Sequence, residues 1–350
     1  MQTGGHPSPP GCSDNQIAII GAGMAGLACA RALSDRARNV VVFDKGRLPG
    51  GRLCSRRHQT LQFDHGAQYA TVRGSGFRRA MESWSRGGAA KLWRPRFLVT
   101  GGQRASVSAP GVEVKRAEAP GQLDETSVER WVGTPAMSAI PRRLALGLSI
   151  IYSTRIRELR AQGAAWQLVG DRGDVYGPFA AVIVAVPAPQ AVELLAPVPD
   201  IVKEVSRARL APCWALMAAW QQPIAPGWNV ARLEGELAWV AQNSSKPGRG
   251  DRETWVVHAA PAWSRDHLEA TAEDAANMLA AALSDLLGVG APDLAIAHRW
   301  RYALVERPIG EPYIYQPGRG IGACGDWCHG PRVEAAFESG LALAERIVQS

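Results

Sequence analysis

A chain of 350 residues, 46% hydrophobic and 20% charged, is long enough for one large domain or two interleaved ones, and its composition excludes a disordered or collagen-like polymer. The net charge of +7 is carried by arginine, since only Lys45, Lys91, Lys115, Lys203 and Lys246 are lysines; this suits phosphate and carboxylate partners, while the lack of a dense basic run argues against nucleic acid. Six cysteines without disulfide-framework or zinc spacing, a polar N-terminus and no apolar stretch of about eighteen residues lead us to expect a reduced, soluble, cytoplasmic protein with no metal site and no membrane span.

In chain order, residues 1–15 read as a flexible leader. Ile17–Ile20 reads as a buried strand, Met24–Leu33 as an Ala/Leu-rich helix and Asn39–Asp44 as a second strand, together a βαβ opening of a parallel sheet. Arg47–Ala70 reads as glycine-rich loop, and residues 77–145 as irregular. Ser149–Leu159, Ala165–Val169 and Val175–Tyr176 suggest a small β-meander, turning at Asp171-Arg172-Gly173-Asp174. Ala181–Val186 is a continuous apolar run, as in a strand covered on both faces. Ala215–Trp220, Leu237–Ala241 and Thr254–Ala259 read as strands and Ala272–Leu287 as a long helix. Gly320–Cys324 reads as a late strand and Val333–Val348 as an amphipathic helix. There are no internal repeats.

Gly21-Ala22-Gly23-Met24-Ala25-Gly26 fits G-x-G-x-x-G, and its setting between a strand and a helix, with Asp44 ending the next strand, is that of a dinucleotide-binding loop. Gly21 would allow the tight turn, Gly23 the approach of a pyrophosphate and Gly26 close helix packing, while Asp44 would accept from ribose hydroxyls. Three further segments favour FAD over NAD. In Gly50-Gly51-Arg52 the arginine can reach the pyrophosphate as a fork. Phe63-Asp64-His65-Gly66-Ala67-Gln68-Tyr69 can run beside a flavin. Gly325-Asp326 precedes a helix, so that Asp326 can hold the ribityl chain and donors near Arg332, Val333 and Glu334 can face the flavin's N1 and O2. Lys45, Ala67, Gln68 and Val186 complete the expected cofactor neighbours.

These segments together resemble the flavin amine oxidase superfamily. The stretches Trp131–Ser138, Asn243–Arg249, Ala297–Tyr302 and Cys324–Cys328 are similar to the renalase family, especially its bacterial members. The resemblance implies an α/β fold: a Rossmann-type, glutathione reductase-like FAD-binding domain assembled from residues 16–75, 146–189 and 301–350. A substrate domain with a mixed sheet and helices, residues 76–145 and 190–300, would be interleaved with it. It also implies non-covalent FAD and oxidation of isomeric dihydronicotinamide dinucleotides, with hydride on C2 or C6. Hydride would pass to flavin N5 and electrons to O2, giving NAD(P)+ and hydrogen peroxide.

Two departures bear on this. Many amine oxidases carry a lysine near flavin N5 on the strand that Trp214–Trp220 matches, and this stretch has none; Arg307–Tyr313 lacks the cysteine that some of them join to flavin. Gln68, Tyr69, Asn243, His298, Trp300 and Tyr302 are the expected substrate-cavity residues, with Asn243 and Gln68 orienting a carboxamide and the aromatics walling a flat slot. Core packing remains an alternative for Trp300 and Tyr302, a structural histidine for His298, and buried inert thiols for Cys324 and Cys328. Arg249, Arg252 and Arg299 are candidates for substrate phosphates. An amine oxidase or desaturase-type dehydrogenase on the same scaffold is the alternative enzyme, and a non-catalytic flavoprotein the alternative class.

Overall fold

Ile17–Ile20 contains no polar residue and is buried along its whole length, a pattern that belongs in the middle of a sheet covered on both faces. The computed structural model, which describes residues 15–98 and 128–350, places it there. The leader before Asn15, with Cys12, lies outside the described residues. The sheet has six strands in the order Ile314–Gln316, Ile321–Ala323, Ala181–Val184, Ile17–Ile20, Val40–Phe43 and Ser149–Ile151, and only the first pair is antiparallel. Segments from the front, middle and back of the chain therefore share one sheet.

The helices Met24–Ser34 and Val333–Val348 cover one face, where Leu27, Leu343 and Ile347 pack on Ile17, Ile19 and Val42. The two helices touch through glycine: a Cβ on Gly340 would lie 2.1 Å from the Ala25 carbonyl oxygen. On the other face Leu159, Trp166, Leu168 and Phe179 pack on Ala18, Ile20, Val41 and Phe43. These belong to a separate antiparallel sheet of Ile156–Gln162, Ala165–Gly170 and Val175–Phe179. The meander expected from Ser149 to Tyr176 is thus divided. Ser149–Ile151 joins the parallel sheet, and the chain turns at Ser153, a non-glycine residue at φ 54°.

A third sheet runs in the order Val230–Arg232, Leu237–Gln242, Glu253–Ala259, Arg209–Trp220 and Leu294–Arg307, every pair antiparallel. Its back is covered by Ala272–Leu287, whose Leu279 and Leu283 meet Trp214, Leu216, Trp255 and Val257. That helix starts at Thr271, whose hydroxyl accepts from the Asp274 N–H at 3.1 Å, and stops at Gly288 with φ 66°. On the front, Met217 and Val256 meet Phe63, and the register sets His258 and His298 on either side of Ala215.

The fourteen-residue strand Leu294–Arg307 is not legible in the sequence, because as an edge strand it carries polar residues on both sides. The domain boundary expected between residues 300 and 301 falls inside it. Nor is the region after residue 77 irregular throughout: Ser75–Arg86 is a helix buried only at Phe77, Met81 and Trp84. Ala90–Trp93 and Arg130–Gly133 form a small sheet with Ala70–Thr71, and Ala139–Ala145 is a further helix. The loop expected over Arg47–Ala70 holds a hairpin, Arg56–His58 with Leu61–Phe63. Residues 99–127 lie outside the described residues.

Candidate functional site

The glycine loop is shaped by contacts that exclude side chains at two of its three glycines. Gly21 has φ 110°, and a Cβ there would lie 2.7 Å from the Ala185 carbonyl oxygen, next to Val186; a Cβ on Gly26 would lie 1.9 Å from the Gly21 oxygen. At Gly23 nothing stands within 4 Å of the Cβ position. Gly23 is also the N-cap of Met24–Ser34 and offers no side-chain cap, so the N–H groups opening the helix at Met24 and Ala25 border open space. Gly51, at φ 51°, closes on Gly23, and the Gly50 N–H bonds the Ala22 oxygen at 2.8 Å. This is a cradle that a pyrophosphate fits. Asp44 does more than await a ribose: its carboxylate accepts from the Ala22 N–H at 2.5 Å and the Gly46 N–H at 2.6 Å, fixing the loop. Lys45, beside it, is exposed.

Arg52 and Asp326, expected to reach the cofactor separately, are paired with each other. The guanidinium donates to both carboxylate oxygens at 2.7 and 2.8 Å and to the Ala303 carbonyl at 3.0 Å, joining residues 274 positions apart. Gly325 is held by its N–H to Ser339 Oγ at 3.0 Å. Arg332 caps the C-terminal helix, ahead of Val333. The Glu334 carboxylate accepts from the Arg73 and Gly74 N–H groups at 2.9 and 2.7 Å. Its other oxygen, and Nε of Arg332, are buried without a partner among the described residues. Such stranded polar atoms at a helix start fit a polar group lying against it.

Gln68 and Asn243, expected at a substrate carboxamide, both bond within the protein. Asn243 is fully buried, donating to the Gln62 oxygen at 2.9 Å and accepting from the Asp64 N–H at 3.3 Å. Gln68 donates to the carbonyls of Asp64 and Gly66 and accepts from Lys246 Nζ at 2.9 Å. Both hold the backbone that precedes Ala67, whose own N–H bonds the Arg52 oxygen at 2.9 Å; neither amide is left to orient a carboxamide. At the centre lies Asp64, bonded to Lys246 (3.3 Å), Arg249, Ser55 Oγ (2.7 Å) and the Met137 N–H (2.9 Å). Burial pushes its carboxyl up, but the two cations outweigh burial and hold it at about 2. Burial brings Lys246 down to about 8 against the pull of Asp64. Arg249 is therefore part of this buried network and not a free phosphate ligand. Two cations face one carboxylate here, and no periodicity marks Lys246 in the sequence.

In front of the third sheet a ring cluster forms. His65 stacks on Trp300 at 5.1 Å and meets His298 edge-on at 4.9 Å, and His298 meets Trp300 at 4.5 Å. Trp300 Nε1 donates to the His65 oxygen at 3.0 Å, and His258 Nε2 lies 3.3 Å from the same oxygen. Burial, then His298 and Arg56, bring His65 down to about 3; burial brings His258 to about 4, and burial with Arg56 lowers His298. All three are neutral near pH 7. Tyr69 belongs to a second group, against Trp93 and Trp239, with its hydroxyl accepting from Arg232 at 3.0 Å. Tyr302 enters neither group's ring contacts and is half-buried on the same strand as Trp300. The sequence points to Trp300, His298 and Tyr69; it does not point to His65 or Arg56.

Cys324 and Cys328 are buried, and burial raises both thiols, Cys328 to about 12. Among the described residues no helix is long and apolar enough to cross a membrane, and no three His, Cys, Asp or Glu side chains stand together as a metal site.

Two family profiles match the chain: an NAD(P)-binding Rossmann-like domain over residues 19–84, and a flavin containing amine oxidoreductase over residues 89–348. Among solved structures, a putative protoporphyrinogen oxidase from Exiguobacterium sp. 255-15 superposes with a TM-score of 0.74 at 14% identity, covering 97% of this chain and 100% of its own. Wild-type putrescine oxidase bound to putrescine superposes with a TM-score of 0.71 at 14% identity, covering 96% and 99%. Identities this low speak for the fold.

Proposed function

The chain belongs to the flavin containing amine oxidoreductase family, an FAD-dependent oxidoreductase, and from that premise we propose that it oxidises isomeric dihydronicotinamide dinucleotides and returns the electrons to O2. The observation that carries this reading is the sign of the charge around the ring cluster. A polyamine is a cation, and it would meet Arg56 beside His65 and His298, with Lys246 and Arg249 behind Asp64. Among the described residues, the carboxylate at this cluster is Asp64, and it is buried and already paired. A reduced dinucleotide is an anion, and its flat ring suits a wall of Trp300, His65 and His298.

FAD, when bound, supplies a two-electron acceptor that takes hydride and passes the electrons on to O2. The glycine cradle of Gly21, Gly23 and Gly26 with Gly51 would hold the pyrophosphate, and the Met24 and Ala25 N–H groups would donate to it. Arg52, Asp326 and Ala67 are the residues that would border the rest of the cofactor. Trp300 and His298 keep the substrate ring flat and exclude water, while Tyr69 and Tyr302 border the cavity more distantly. Burial leaves His65 and His258 weak bases, at about 3 and 4, and Asp64 is held ionised by its cations, so none of these three is a poised general base near pH 7. A dihydropyridine needs none, because its nitrogen lone pair drives hydride departure; the protein's part is positioning.

The experiment is anaerobic titration of the purified yellow protein with 2- and 6-dihydro-NAD(P), and separately with amines, following the oxidised-flavin band. The isomers bleach the flavin stoichiometrically, and air restores colour with release of hydrogen peroxide. Bleaching by amines alone refutes the proposal.

A further inference from the structure

Beside the ring cluster a groove of about 660 Å³ opens between the start of the helix Ala272–Leu287 and the strand Leu294–Arg307. That strand is the outermost of its sheet, so the sheet ends at the groove. The volume lies within the range of small-molecule sites. Arg56, Trp214, Glu273, His298 and Arg299 are among its walls.

Arg56 reaches the groove from a different part of the chain, at the start of the hairpin Arg56–His58 with Leu61–Phe63. The hairpin has a fixed base: Ser55 donates to Asp64 at 2.7 Å, and Phe63 is buried against Met217 and Val256. The Arg56 guanidinium is exposed and forms no ion pair or side-chain hydrogen bond with another described residue. Arg299, in the same wall, is already committed to Glu269 at 3.2 Å and to the Leu268 carbonyl. His298 connects the groove to the cluster, lining the groove while its ring meets His65 and Trp300.

We infer that this groove binds the phosphate-bearing part of the substrate, with Arg56 as its charge contact and His298 at the step to the aromatic cluster that holds the ring. The inference rests on the dihydronicotinamide reading. A dinucleotide is a flat ring joined to a pyrophosphate and a second nucleoside, so a cavity that seats the ring at Trp300 needs adjoining space of opposite charge for the remainder. The groove offers that space, and Arg56, the uncommitted cation among its described residues, stands where groove and cluster meet. Glu273, on the helix side, repels phosphate and accepts from hydroxyl or amino donors, which places the pyrophosphate at the Arg56 end and the second nucleoside toward the helix.

The test is steady-state kinetics of the holoenzyme with the dinucleotide isomer and with the corresponding dihydronicotinamide riboside, which has the ring without phosphate. Arg56→Ala raises KM for the dinucleotide about fivefold, in line with loss of an exposed charge contact, and leaves kcat within about twofold. Arg56→Lys recovers part of the loss. Arg57→Ala, the neighbouring residue pointing to the other side of the hairpin, leaves KM as in the wild type. Added salt raises the wild-type KM more than that of Arg56→Ala. The riboside's KM is the same in wild type and Arg56→Ala. An unchanged dinucleotide KM in Arg56→Ala, or an equal rise with riboside, overturns the groove assignment while leaving the dihydronicotinamide function standing. A wild-type flavin that no isomer reduces overturns both.

Discussion

Asp64→Asn keeps the shape of the buried network and removes its only negative charge. In the wild type that carboxylate accepts from Lys246, Arg249, Ser55 and the Met137 N–H, with both cationic side chains almost fully buried. The amide leaves two buried cations with no counter-charge, a change that typically costs about 3–5 kcal/mol. At about 2 °C per kcal/mol for a large domain, the melting temperature of the holoenzyme at pH 7 falls by roughly 6–10 °C. Acid titration isolates the charge part. The carboxyl sits at about 2 against 3.8 in the open chain. A depressed acid contributes stability that is fully present above 3.8 and lost as pH falls through 2, here about 2 kcal/mol. The substitution costs more than the titration because it also strands N–H donors. Circular dichroism melts of wild type, Asp64→Asn, Lys246→Met and the double variant measure all of this. Because Lys246→Met removes one of the stranded cations, the double variant is more stable than the sum of the single losses predicts. A fall under about 2 °C, or strictly additive losses, would show that the network carries no uncompensated charge.

The glycine loop separates two effects: Gly26→Ala forces a Cβ to within 1.9 Å of the Gly21 oxygen and costs folding as well as flavin content. Gly23→Ala, with open space at the same atom, leaves the flavin-free protein's melting temperature unchanged and lowers only its uptake of FAD, as read by absorbance after gel filtration. Arg52→Lys keeps the charge and loses the fork on Asp326, raising the FAD dissociation constant about tenfold; unchanged flavin retention through dialysis would refute a role for the pair. His65 is held neutral, at about 3 instead of 6.5, so the open chain binds the extra proton first and stability falls as pH drops from 6.5 toward 3. His258 and His298 are lowered in the same sense, so His65→Phe makes that fall shallower in a melting-temperature profile taken between pH 4 and 7.

The parallel sheet was legible because strands buried on both faces have no alternation to misread. Ile17–Ile20, Val40–Phe43 and Ala181–Val184 announce themselves as apolar runs, and glycine spacing marks the loop between the first two. The edge strand Leu294–Arg307 was illegible for the opposite reason: His298, Arg299 and Arg301 break its apolar pattern, the two arginines pairing with Glu269 at the sheet edge. Helix Ser75–Arg86 shows three apolar positions at i, i+4 and i+7 in an otherwise polar segment, a signal that is present but thin. Gln68 and Asn243 mark a limit of reading residue types alone. An amide can hold a ligand or a backbone, and only the partners at 2.9 Å decide which. Lys246 lies in a loop with no periodicity, and its burial follows from Asp64, 182 positions away.

The Arg52–Asp326 fork has a bearing on how the protein is made. Translation delivers the glycine loop first, yet the sheet beside it lacks Ile321–Ala323 and the fork lacks its acid until residues 321–326 have emerged. A nascent chain cut short of Asp326 therefore lacks both the neighbouring strand and the partner that fixes the Arg52 guanidinium.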